Sequence, residues 1–359
     1  MLKENALYKY NTNMEFNKKN KLHLTSDQMT NSVALIWPNQ NMGLNQYDLL
    51  QDLYSELLVN FLQHKTRVLL FSETSLPDKV KIIQNMFDNE YIIHNEYKSD
   101  DIWLRDYCPM QTFDPINKRD VFLSYSYNAY GEKYNFKNDK YFFDYFLNCI
   151  NKSDVIKFCD NEVIFEGGNI VNNAHFCLIN LNCLRHHNKD GDYYKIKKDI
   201  ESFFKKNIYQ QLYFIDIPPI TGDDTNGHID NLVRFYDDAI LIMSTDSPSH
   251  PDYYKLKELE KQIYNICDGK NIKSIIQVKH KCRNIMKNEK NEILPFSYLN
   301  YLKISDVIYM PLSGNETDED KSYLKNIFKK DNLVFIHSKP LLNEYGGLHC
   351  CSYNWRYFE

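Results

Sequence analysis

A chain of 359 residues that is 43% hydrophobic and 25% charged has the composition of a globular protein with room for a deep core. A formal net charge of -5 argues against a nucleic-acid-binding protein, which would carry a basic face. No run approaches the roughly 18 apolar residues of a membrane span, and residues 1–30 lack the apolar segment of a secretory leader, so a cytoplasmic protein is expected.

Residues 1–30 are polar and aperiodic and read as a partly ordered arm; residues 31–359 read as one catalytic domain. Val33 to Trp37 is an apolar run stopped by Pro38, which predicts a buried strand. Tyr47 to Phe61 places Leu49, Leu50, Leu53, Leu57, Leu58 and Phe61 at helical spacing. A strand over Val68 to Phe71, a helix near Asp78 to Phe87 and a strand over Tyr91 to His94 follow. Then a theme recurs, in which a strand bearing polar groups meets a more apolar strand and an amphipathic helix follows. Ile102–Thr112 is predicted to pair with Val121–Tyr127, with a helix near Asp139 to Cys149. Val163–Asn172 is matched with His175–Leu181 and a helix from Tyr193 to Phe204, and Gly227–Tyr236 with Ala239–Ser244 and a helix from Asp252 to Cys267. Phe296–Lys303 is matched with Val307–Leu312 and a helix from Glu316 to Phe328, and Gly347–Tyr353 is placed to pair with the N-terminal strand. A period of about 60 residues suggests α/β supersecondary units repeated around an axis; an ordinary α/β sandwich is the alternative.

The chemically notable residues fall on the polar strand of each unit. Asp106, in Trp103-Leu104-Arg105-Asp106, shares the inward side of Leu104 if the segment is extended, where it needs either a salt-bridge partner or a function. Glu166 precedes Gly167-Gly168, a pair that marks a bend or a close backbone approach. His228 and Asp230 share a face at i and i+2, which fits a core histidine, a metal site or a proton carrier beside a cation-holding carboxylate. Cys350 follows Gly346-Gly347-Leu348-His349 and is one of nine scattered cysteines, either an inert buried thiol or a nucleophile activated by a neighbouring cation. If the units circle an axis, these side chains converge. Three carboxylates around a thiol and an imidazole then call for a positively charged ligand.

In order along the chain, Trp103-x-Arg105-Asp106-x-x-Pro109, Glu166-Gly167-Gly168-Asn169, Gly227-His228-x-Asp230-Asn231, Leu294-Pro295-x-Ser297-Tyr298-x-Asn300 and His349-Cys350 resemble the agmatine deiminases and bacterial peptidyl-arginine deiminases, which are guanidino-group-modifying enzymes. The resemblance runs from Val33 to Ser352. It implies an α/β fold, a five-bladed pseudosymmetric α/β propeller of repeated ββαβ units around a central active site. It also implies deimination of agmatine to N-carbamoylputrescine and ammonia, a polyamine step, through an amidino-thioether on Cys350. In that scheme His228 moves protons, Glu166 orients His228, and Asp106 and Asp230 grip the guanidinium. Trp103, Arg105, Asn169 and Gly347 contribute to substrate binding, and no metal or cofactor takes part. Peptidyl-arginine, free arginine or another guanidine are the alternative substrates. A catalytically silent guanidino-binding homologue is a further reading, and so is a metal-dependent hydrolase built on His228, Asp230, His349 and Cys350. Tyr107-Cys108 and Cys351-Ser352 depart from the family pattern, which bears on the substrate beyond its guanidino group. The expected partner is a small cationic guanidino molecule, with no nucleic acid and no membrane; a homo-oligomer stays open. Cys351 is expected to pack away from the pocket. His186 and His187, in a polar segment, are expected at the surface.

Overall fold

The helical spacing around Leu50 and Phe61 is realised in Tyr47–Gln63, whose apolar stripe (Leu50, Leu53, Leu57, Leu58, Phe61) is fully buried while Leu49 stays half exposed. The structure is a computed structural model that describes residues 21–87, 89–152, 154–159, 163–189, 192–268 and 274–357. Of the arm expected over 1–30, residues 1–20 lie outside the described residues. Residues 21–30 lie against the rest of the chain: His23–Leu24 pairs with Thr112 and Phe113, and Thr30 Oγ1 donates to the Lys303 carbonyl at 3.1 Å.

The architecture is mixed α/β. Among the described residues five sheets repeat one strand pattern, an antiparallel pair followed by a parallel strand. Met110–Asp114 pairs antiparallel with Arg119–Ser124, which runs parallel to Val155–Lys157. The same order holds for Ile170–Asn172, Phe176–Asn180 and Gln211–Ile215, and for Val233–Tyr236, Ala239–Ser244 and Ser274–Lys279. It holds again for Leu302–Ile304, Val307–Leu312 and Asn332–His337. In the fifth sheet Ser352–Trp355 pairs antiparallel with Ser32–Ile36, which is followed by the parallel strands Arg67–Ser72 and Ile92–Glu96. A parallel neighbour needs a long crossover. The helices Phe142–Cys149, Tyr193–Asn207, Tyr253–Cys267, Asp318–Ile327, Tyr47–Gln63 and Asp78–Met86 lie in the six crossovers between these parallel neighbours. The sheets are separate and open, and these pairings do not join them into one closed ring.

The polar strands are corrected at their N-terminal ends. Trp103 to Asp106 is not extended: the backbone N–H of Trp103 donates to Asp101 Oδ1 at 2.7 Å, and Leu104–Tyr107 forms one helical turn. Short 3₁₀ turns at Gly167–Asn169 and Ile229–Asn231 replace the expected strand starts, and residues 348–351 form a turn ahead of Ser352–Trp355. Side-chain alternation along a strand therefore does not set the direction of Asp106, Asp230 or Cys350. Cys351 is fully buried in the apolar cluster that holds Tyr54 and Leu348. All nine cysteines are free thiols. Among the described residues no helix is long and apolar enough to cross a membrane.

Candidate active site

Three of the turns that replace the strand starts, those that carry Asp106, Asn231 and Cys350, meet at a cavity of about 290 Å³ that Trp103, Tyr130 and Gly346 also line. Asp106, carried on the one-turn helix, accepts from Tyr130 Oη at 2.8 Å and from the Gly168 N–H at 2.9 Å. A side chain at residue 168 would collide with His228 Nδ1 and Asp106 Oδ1, so glycine there is what lets turn and carboxylate meet. Glu166 Oε2 lies 2.7 Å from His228 Nε2 and 2.8 Å from His187 Nδ1, and Oε1 accepts the Tyr130 N–H at 3.0 Å. The opposite edge of the His228 ring is 3.5 Å from Asp106 Oδ1. Gly227, at φ +97°, supplies the left-handed backbone that leads into His228.

On the other side of the cavity, Asp230 Oδ2 is 2.7 Å from His349 Nδ1 and 3.9 Å from Cys350 Sγ. Behind His349, Asp27 Oδ2 approaches Nε2 at 3.4 Å and ion-pairs with Arg234. Asn300 Nδ2 reaches Cys350 Sγ at 3.1 Å and donates to Asn231 Oδ1 at 3.0 Å. Among the site's buried atoms, His228 Nδ1, Asp230 Oδ1 and His349 Nε2 have no hydrogen-bond partner. Buried polar atoms are rarely left so, because each lost partner costs about 1–3 kcal/mol. A ligand with several N–H donors would satisfy the carboxylate.

The electrostatics are dominated by buried carboxylates and favour a cation. Burial lifts Asp106 to about 6; the His228 ring pulls against the rise, and Glu166 and Asp230 add to it. Burial would also raise Glu166, but His187 and His228 hold it down to about 2. Burial opposes the charge on His228, yet Asp106 foremost keeps the imidazole well above its ordinary range. Burial would raise Asp230, but the hydrogen bond and charge of His349, with the charges of His228 and Arg234, together hold the carboxyl below its ordinary value. Burial, then Asp230 and Asp106, push the Cys350 thiol well up.

Cys350, Asp106 and Trp103 line the cavity; Asp230 is beside the thiol, and His228 and Glu166 are packed behind Asp106. Arg105 turns elsewhere, its guanidinium reaching Asn354 and the His349 carbonyl. Asn169 Nδ2 donates to the Asn180 carbonyl at 3.0 Å, and Gly347 is packed against the Asn300 side chain. Tyr130 carries no sequence signal that marks it for the site; its φ of 63° reflects an irregular turn. His187 is a correction. It is buried, not at the surface, because the helix Leu181–His187 turns its Cys183–Leu184–His187 face inward while Arg185 and His186 stay exposed. The i, i+4 relation of Cys183 to His187 was the available signal. Glu166, Cys183 and His187 have donor atoms all within 4.8 Å of one another, the spacing of a metal-binding group, and this set differs from His228, Asp230, His349 and Cys350.

Residues 27–355 match the Porphyromonas-type peptidyl-arginine deiminase family. An agmatine deiminase of Medicago truncatula is 23% identical over 315 residues, covering 78% of this chain and 79% of its own length. A substrate-bound cysteine-to-serine variant of C. jejuni agmatine deiminase superposes with a TM-score of 0.77 at 18% identity, over 95% of this chain and 98% of that one. The agmatine deiminase of Enterococcus faecalis gives 0.78 at 16% identity, over 93% and 95%. At such identities the solved structures establish the fold, and the family match covers most of the chain. This chain belongs to the Porphyromonas-type peptidyl-arginine deiminase family and is a hydrolase of carbon–nitrogen bonds in amidines.

Proposed function

We propose that the chain converts agmatine to N-carbamoylputrescine and ammonia through a covalent amidino-thioether on Cys350. The observation that carries this is the buried thiol of Cys350 held 3.9 Å from Asp230 Oδ2 at a cavity that Asp106 also lines. A planar cation between two carboxylates would donate charge-assisted hydrogen bonds from both edges and present its carbon to the sulfur. Its charge would offset the two carboxylates that raise the thiol, so substrate binding itself favours the thiolate.

In the first half-reaction the Cys350 sulfur bonds to the guanidinium carbon and the C=N π pair moves to nitrogen. The His228 imidazolium donates a proton to the departing nitrogen, the C–N bond breaks, and ammonia leaves. In the second half-reaction His228 takes one proton from water, the oxygen bonds to the carbon, the C–S bond breaks to return the thiolate, and the remaining hydroxyl proton passes to solvent to leave the neutral ureido product. Glu166, 2.7 Å from His228, fixes the ring that serves both steps.

Agmatine is favoured over free arginine because the cavity lining contains Asp100, Asp101, Asp106, Asp224 and Glu344 and, among the described residues, no lysine or arginine. A terminal amine fits such walls; a carboxylate does not. We read the five sheets as blades of a pseudosymmetric α/β propeller, supported by the fivefold repeat of the strand pattern and by the active-site turns lying where the sheets' first strands begin. The deciding measurement is ammonia release from agmatine, free arginine and a peptide ending in arginine. Turnover of agmatine above the others, abolished in Cys350→Ala, is expected. Preferred turnover of a peptide would replace the substrate, and absence of turnover with tight agmatine binding would leave a silent guanidino-binding homologue.

A further inference from the structure

We infer that His187 is a positioning residue for the reaction, holding His228 in register for proton transfer through the carboxylate of Glu166. This rests on the reading of His228 as the proton carrier. Glu166 Oε2 is shared by two imidazoles, His187 Nδ1 at 2.8 Å and His228 Nε2 at 2.7 Å, while Tyr130 N–H holds Oε1 at 3.0 Å. The carboxylate cannot rotate without breaking all three contacts. The helix that carries His187 is also tied to the loop that carries His228. Its N-cap Asn180 donates to the Gly227 carbonyl at 2.7 Å, Asn182 donates to the Asn226 carbonyl at 2.9 Å, and His187 Nε2 faces Asn226 Nδ2 at 3.3 Å. His187 thus reaches His228 by two routes, through Glu166 and through the loop ahead of it.

The titratable groups that face His187 are Glu166, Cys183 at 3.5 Å, and the rings of Tyr130 and His228, each with centroids 6.3 Å away. A second imidazole on the same oxygen competes with His228 for the charge of Glu166 and so moderates its hold on the His228 proton. A packing residue would do neither.

Two variants separate these roles. His187→Asn keeps an N–H donor near the position of Nδ1 but cannot carry charge, and His187→Leu removes both. In His187→Leu, kcat for agmatine should fall roughly tenfold or more with KM within about threefold, and His187→Asn should recover kcat to within about threefold of the parent. In both, the ¹⁵N-imidazole titration of His228 in substrate-free enzyme should move upward by about half a pH unit or more, since Glu166 then faces a single imidazolium. The proposal is overturned if His187→Leu keeps the parent kcat, if its loss lies in KM, or if His187→Asn is no better than His187→Leu. Should His187→Leu not fold, an unmoved His228 titration in His187→Asn overturns it as well. The titration needs no turnover, so failure of the deimination reading shows separately, as parent enzyme that releases no ammonia.

Discussion

Asn300 and Cys350 are joined twice: the Asn300 amide nitrogen lies 3.1 Å from the thiol sulfur, and its oxygen accepts the Cys350 backbone N–H at 3.3 Å together with that of His349 at 3.0 Å. One side chain therefore fixes both the turn and the sulfur it carries. Asn300→Ala should lower kcat by roughly a hundredfold, and a slower rate of Cys350 alkylation by iodoacetamide would show that the sulfur has lost its alignment. Unchanged kinetics would remove Asn300 from the site.

The two adjacent cysteines should behave oppositely. Cys350→Ala should abolish ammonia release and leave agmatine binding measurable by calorimetry. Cys351→Ala should keep kcat while costing about 1 kcal/mol of stability, read as a lower midpoint in urea, because its sulfur fills a fully buried position beside Leu348. The reverse pattern would move the nucleophile by one residue.

Asp106 should set an acid limb. Its carboxyl, lifted by burial to about 6, loses its charge as pH falls through that value and with it the grip on a guanidinium. The kcat/KM for agmatine should fall below about pH 6, and Asp106→Asn should flatten that limb at a raised KM. Stability runs the other way. Because the folded value lies above the unfolded one, the folded state binds this proton more tightly, so Asp106 contributes stability at low pH that is lost as pH rises through about 6. Asp106→Asn should therefore melt at a higher temperature than the parent at pH 8, the trade often seen where a site stores unfavourable charge. Glu166 has the opposite sign. Held down to about 2 against an ordinary 4.5, its contribution is present above the ordinary value and lost as pH falls toward 2.

Gly168→Ala should be damaging out of proportion to its size. The added methyl meets His228 Nδ1 and Asp106 Oδ1, groups that cannot both retreat because Glu166 holds one and Tyr130 the other. A loss of kcat near a hundredfold with a far-ultraviolet circular dichroism spectrum like the parent's is expected. Parent-like kinetics would mean that the turn is softer than its contacts imply.

Much of the fold was legible because hydrophobic periodicity reports burial directly. Tyr47–Gln63, Tyr253–Cys267 and Ala239–Ser244 lie where the pattern places them. The return strands were harder to place, since Val155–Lys157 is exposed throughout and Ser274–Lys279 mostly half-buried at a sheet edge, so neither shows clean alternation. The strand starts were misread for a different reason. Turns capped by local hydrogen bonds, such as Asp101 to Trp103, carry the same residues a polar strand would. His187 was hidden by its neighbours: Arg185, His186 and Lys189 are exposed, and its burial is decided by Glu166, which only the tertiary fold brings near.

The pairing of Ser352–Trp355 with Ser32–Ile36 has a kinetic meaning. Asn354 and Thr30 hydrogen-bond across 324 residues of chain, and the turn bearing Cys350 is anchored by the last of these strands. Contacts so distant in sequence carry the entropy cost of closing the loop between them and slow folding. The proposed nucleophile therefore meets its acids only where the two ends of the domain pair, so turnover would report complete assembly rather than the folding of any one segment.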